Sequence, residues 1–193
     1  MPLVGIVILN LPIRDYARKL ALWFALALFG MQIFIAMRHY PIFLQNEFSQ
    51  IDLFFNINLS LDFISSIMLL CIGIVSISSL LVARNTMYEE KSRFLFINLL
   101  IIASMGMSGI IIVKDIFSLY IFLEITAISS VVLIAFEKDV YALEGAFKYL
   151  VLSAVATIML LTSVAILFMI SGGTSYAAIC QAVRSSDNNI IMF

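Results

Sequence analysis

Charge is scarce in this chain. Asp, Glu, Lys and Arg make up 12% of its 193 residues, against about 25% in a typical soluble domain. Hydrophobic residues make up 63%, and the mean hydropathy is +1.12. The main solvent of such a chain is lipid. The net charge is −1, and no long run of Lys or Arg exists to grip phosphates, so nucleic acid is not an expected partner. Histidine is scarcer still. His39 is the only one, so this chain alone cannot build an all-histidine metal site or a two-histidine haem. It stands beside Arg38 and Tyr40 at a predicted helix end, where an interfacial role suffices. Cysteine is limited to Cys71 and Cys180. These give neither a disulfide framework nor a metal-ligand spacing, and Cys71 reads as a small hydrophobe within an apolar run. There is no glycine-rich phosphate loop, no Cys–His pair and no nucleophile beside a base. The ten methionines are scattered through apolar runs as filling. No catalytic centre, cofactor site or metal site is expected, and an enzymatic quinone site has no His–acid pair to support it.

What the chain does have is long apolar runs. Residues 20–37, 59–82, 94–113, 116–136 and 142–170 each have about the length that crosses a bilayer as a helix. Residues 3–11 are too short, since about ten residues of helix rise about 15 Å against a core of about 30 Å. They have no basic flank and no cleavage site, which argues against a signal peptide. The expected fold is all-α: one membrane domain over residues 1–193, a polytopic bundle of five full spans plus a partial N-terminal one. Lys114 and Asp115 alone turn the chain between two spans. Residues 38–58 form the longest loop, which reads as lying on the membrane surface. Gly172-Gly173-Thr174 ends the last span, and residues 171–193 read as loop or the start of a further helix.

Positive charge sets a direction. Arg14, Arg18 and Lys19 fall on one side, joined by Arg84, Lys91, Arg93 and Lys138. The other side holds Arg38, Lys114 and Arg184. The richer side should be cytoplasmic, which puts the N-terminus outside a cell (inner, cytoplasmic) membrane.

Glu124 is the most informative residue. It sits near the middle of the 116–136 run. An ionised carboxylate there is costly and needs a partner, a water-filled cavity or a bound proton. Groups of this kind usually belong to an ion path; the alternative is a structural hydrogen bond between helices. Thr126, Ser129 and Ser130 follow on the same helix, and hydroxyls there either bond back to their own backbone or hold water. Lys148 comes 24 residues after Glu124. It could snorkel to the surface, face inward toward an acid, or pair with Glu144, four residues before it in the favourable order. Asp62 and Asp115 open helices, where an acid suits the helix dipole. Gly106 and Gly109 suit close helix packing.

Two stretches carry a resemblance. The run Asp115-Ile-Phe-Ser-Leu-Tyr-Ile-Phe-Leu-Glu124-Ile-Thr-Ala-Ile-Ser-Ser130 is followed by Ala142-Leu-Glu-Gly-Ala-Phe-Lys148-Tyr-Leu-Val-Leu-Ser-Ala154. In this order and spacing they resemble the antiporter-like subunits shared by respiratory complex I, Mrp-type sodium/proton antiporters and energy-converting membrane-bound hydrogenases. Leu61-Asp62-Phe63-Ile-Ser65 is similar to that family's Leu-Asp-Gly-Leu-Ser segment, with Phe63 in place of glycine. The resemblance implies a proton-translocating membrane subunit corresponding to the first six helices of the antiporter-like fold. It implies Glu124 as the acid on the fifth helix and Lys148 as the lysine on the sixth, with Glu144 and Asp62 as weaker candidates. In the family the acid pairs with a lysine on the seventh helix. Neither that helix, with its Lys-x-Pro and His-x-Trp-Leu-Pro motifs, nor the second inverted repeat has a counterpart here. The expectation is therefore a truncated or split subunit of a hetero-oligomeric complex. Its partners would be other membrane subunits, a chain supplying the second half among the candidates. The competing expectation is a scaffold that docks neighbours and transports nothing. The coupled ion, H⁺ or Na⁺, is left open.

Overall fold

Each long apolar run becomes a helix because a backbone in lipid must satisfy its polar groups within its own segment. The computed structural model describes residues 14–39, 50–53, 57–60, 62–87 and 89–185. Helix α1 spans Arg14–His39, α2 Phe63–Thr86, α3 Glu90–Ile112, α4 Ile116–Ile134 and α5 Val140–Ser171, and a short helix α6 spans Tyr176–Ser185. The first five are long and apolar enough to cross a membrane. The partial span expected at 3–11 lies outside the described residues, as do residues 186–193.

The helix ends follow local chemistry. Glu90 sits in the first turn of α3, where a negative charge suits the helix dipole. Asp115 caps α4, its carboxylate accepting from the Ser118 backbone N–H at 2.8 Å. A 3-10 turn over Ala135–Glu137 leads to Lys138, whose φ of 56° reverses the chain into α5. Gly172 ends α5 with a φ of 66°, the left-handed cap that glycine adopts without a steric penalty. At 32 residues α5 is the longest helix. It rises about 48 Å, well beyond a hydrocarbon core of about 30 Å.

One element was not expected. Part of the 38–58 loop and the first residues of the 59–82 run form an antiparallel hairpin. Strand β1, Gln50–Leu53, pairs with β2, Ile57–Ser60, with Ile51 opposite Leu59. The sequence Ile-Asn-Leu-Ser alternates apolar and polar residues, the period of a strand rather than a helix. Helix α2 therefore begins at Phe63.

Helices α1, α2 and α3 all pack on one another. Their shared core consists of Ala21, Leu22, Ala25, Phe29, Leu80, Ile97, Leu100 and Ile101. Helix α4 packs on α3, and α5 packs on α4. The α3–α4 contact is close because glycine permits it. A methyl group on Gly106 would overlap Thr126 Oγ1 and lie 3.0 Å from the Thr126 backbone nitrogen and 3.1 Å from the Phe122 carbonyl oxygen. A methyl on Gly109 would overlap the Phe122 ring. At the other end of this contact Phe96 and Phe136 meet edge to face, with centroids 5.7 Å apart.

A candidate ion-translocation site on α4 and α5

Glu124 lies in the middle of α4. Phe122 and Thr126 face α3 at the two glycines, so Glu124, two residues from each, is turned away from α3. It shares a face with Phe117, Ile121 and Ile128, at helical spacings of seven, three and four residues, and all three are exposed. Glu124 Oε2 is buried and has no hydrogen-bond partner among the described residues. The carboxylate thus sits beside an uncovered apolar stripe with one oxygen unsatisfied.

The nearby hydroxyls do not reach it. Thr126 Oγ1 donates to the Phe122 carbonyl at 2.8 Å, Ser129 Oγ to that of Ile125 at 2.7 Å, and Ser130 Oγ to that of Thr126 at 2.8 Å. All three bond back to their own helix. Lys148 does not reach Glu124 either. Its Nζ donates to Glu144 Oε1 at 2.6 Å, and the two side chains are 70% and 56% exposed. Asp62 stands at the N-cap of α2 without a side-chain capping bond. Its Oδ1 is also buried and unpartnered among the described residues. Since α3 stands between α2 and α4, Asp62 and Glu124 belong to separate places. Of the four candidates read from the sequence, the structure joins only Glu144 and Lys148.

A clasp between two turns has no counterpart in the sequence motifs. The Asp115 carboxylate accepts from the Thr174 hydroxyl. The Ile116 N–H donates to the Thr174 carbonyl at 3.0 Å, and the Tyr176 N–H to the Lys114 carbonyl at 3.3 Å. Burial works to raise the Asp115 carboxyl, but hydrogen bonds from Thr174, Ser118 and Phe117 outweigh it and hold the group below its ordinary 3.8. Burial, with the Asp115 charge beside it, raises the Tyr176 phenol above its ordinary value. The clasp fixes the start of α4 to the end of α5. The lone polar pair of threonine and aspartate, 59 residues apart, gives no periodic signal in the sequence.

Comparison with known proteins then places the chain. Residues 113–193, which hold both Glu124 and Lys148, match the family described as NADH:quinone oxidoreductase/Mrp antiporter, transmembrane. Over that stretch the chain is similar to antiporter-like membrane subunits. It is 28% identical over 129 residues to a Na⁺/H⁺ antiporter subunit of Alkalihalophilus pseudofirmus, covering 67% of this chain and 26% of the relative. It is 31% identical over 113 residues to an NADH-quinone oxidoreductase subunit of Methylobacterium nodulans, covering 58% and 23%. The chain thus spans about a quarter of the length of these curated relatives. Its fold matches a chain in the membrane-bound sulfane sulfur reductase, an archaeal respiratory membrane complex, with a TM-score of 0.79 at 24% identity. That match covers 93% of this chain and 38% of the other.

Proposed function

We propose that this chain takes part in moving protons, or sodium ions, across a cytoplasmic membrane. It would do so as an antiporter-like subunit of a multisubunit complex, redox-driven or of the Mrp type, with its N-terminus outside. The observation that carries this reading is Glu124: a mid-span carboxyl with one oxygen buried and without a partner among the described residues, on a helix face where Phe117, Ile121 and Ile128 are exposed. A carboxylate so placed needs a cation, and the resemblance supplies one in the lysine of a further helix, on this chain or another. An approaching cation favours a carboxylate and expels a proton, whereas its withdrawal leaves desolvation to favour the protonated form. Alternating the two arrangements turns movement of a partner into movement of a proton. In this mechanism Glu124 is the switching acid. Lys148 modulates it, released from or held by Glu144 at 2.6 Å, and Asp62 is a lesser participant. The cytoplasmic placement of the Lys138 end is supported by Arg84, Lys91, Arg93 and Lys138, which outnumber Lys114, Arg38 and Arg184 at the other end.

The test is proton and sodium uptake by inverted vesicles carrying the assembled complex. Glu124→Gln abolishes uptake while native gels show normal assembly. Normal uptake by the variant would refute the proposal. A second reading, a scaffold that moves no ion, is favoured by the closed Glu144–Lys148 pair, which holds the Lys148 ammonium away from Glu124. On that reading Glu124→Gln weakens assembly and leaves the uptake per assembled complex unchanged.

A further inference from the structure

A second polar locus lies across α3 from Glu124, at the end of the bundle where α2 begins and α3 finishes. Gln32 on α1 donates from Nε2 to the Leu69 carbonyl of α2 at 3.3 Å and to Ser108 Oγ of α3 at 3.3 Å. One turn nearer the end, Ser65 Oγ donates to the Ile111 carbonyl at 3.5 Å. Ser65, Ser66 and Ser108 are each more than nine-tenths buried. At the end itself stands Asp62, with Oδ1 buried and unpartnered among the described residues. Asp62, Ser65, Ser66 and Leu69 fall on one face of α2, at helical spacings of three, four and seven. The column from Asp62 to the Gln32 level is seven residues of α2, or about 10 Å. Below Gln32 come the buried Ser76 and Ser104, the Ser104 hydroxyl donating back to the Ile101 carbonyl of its own helix at 2.8 Å. Phe29, Leu80, Ile97 and Ile101 then fill the seam with almost fully buried apolar side chains.

Polar groups buried this completely inside a membrane bundle are costly unless something satisfies them. An orphaned buried oxygen in a native structure points to a bound water or ion, and a buried water needs two to four polar partners. Asp62, Ser65, Ser66, Ser108 and Gln32 offer them in succession along a single seam. We propose that this seam is a water inlet, entered at Asp62, holding bound water down to Gln32 and blind at the Phe29–Ile101 layer. Its water would hydrate the Asp62 carboxylate and the Gln32–Ser108 bridge. It stands independently of the role assigned to Glu124.

Silver ion, a small aqueous cation that reacts with thiolates, tests this in membranes carrying the full chain. Cys71→Ser and Cys180→Ser first remove the native thiols. Single variants Ser65→Cys, Ser108→Cys and Ile101→Cys are then exposed to silver, and the thiols left unreacted are counted after unfolding. The inlet predicts reaction at Ser65→Cys and Ser108→Cys at least about tenfold faster than at Ile101→Cys, since a thiol in apolar surroundings stays protonated and inert. Ser65→Cys is nearly isosteric and sits nearest the mouth, so it keeps the test valid if Ser108→Cys fails to assemble. Equal slow reaction at Ser65→Cys and Ile101→Cys would overturn the proposal. Equal fast reaction at both would overturn it too, because the seam would not then be blind.

Discussion

Helices α1, α2 and α3 bury 28%, 33% and 39% of their apolar windows, whereas α4 and α5 bury only 6% each. The first three form a closed unit with a shared core. The other two are laid against one side of it through the glycine contact of α3. The residues that carry the family likeness, Glu124 and Lys148, are on the open pair. The difference is one of burial: one region packs around a shared core, and the other leaves most of its apolar surface uncovered among the described residues. Lipid can cover Phe117, Ile121 and Ile128 without loss, but it cannot satisfy the carboxylate that shares their face.

The contrast can be broken from either side. The largest expected effect on stability is in the closed unit. Ile101→Ala should cost about 2–5 kcal/mol through the cavity it leaves, whereas Ile158→Ala on the exposed face of α5 should stay within about 0.5 kcal/mol. Unfolding of the purified chain in mild detergent compares them, and similar losses would contradict the division. Next comes the joint between the regions. Gly106→Val forces α3 and α4 apart and should cost about 1–3 kcal/mol by overpacking, with a lower melting temperature as the readout.

A smaller effect is expected at the clasp. Thr174→Val removes one donor to Asp115 and should cost about 1 kcal/mol near neutral pH. Hydrogen bonding holds the Asp115 carboxyl below its ordinary 3.8 in the folded chain. Its contribution is therefore complete above that value and is lost as pH falls through the lowered folded value. The gap between wild type and Thr174→Val should narrow as a pH series of melting curves descends below 3.8. The smallest effect on stability is at Lys148. Its pair with Glu144 is exposed, and such pairs contribute little. Lys148→Ala should leave melting almost unchanged and weaken ion uptake less severely than Glu124→Gln. Loss of folding would make the pair structural.

The helical architecture was legible because lipid imposes a long apolar run on each span, and such runs are plain in a chain with so little charge. The hairpin was not, since Ile57-Asn58-Leu59-Ser60 sits against an apolar run and its period of two is short. At the candidate site, the mid-span position of Glu124 was readable from the apolar run around it. The pairing of Lys148 was readable from its spacing to Glu144, though as one of several choices. The clasp of Asp115 with Thr174 and the bridge of Gln32 to Ser108 were hidden. Each joins residues far apart in sequence, and each partner alone looks like an ordinary polar residue at a helix end or within a span.

The most direct test of a switching Glu124 is its carboxyl infrared band in the assembled complex, isolated by subtracting the Glu124→Gln spectrum. It would be recorded at rest and while the complex is driven. A switching acid predicts a protonated-carboxyl band whose intensity changes between the two conditions. A band that stays the same in both would contradict that role and leave Glu124 a fixed part of the scaffold.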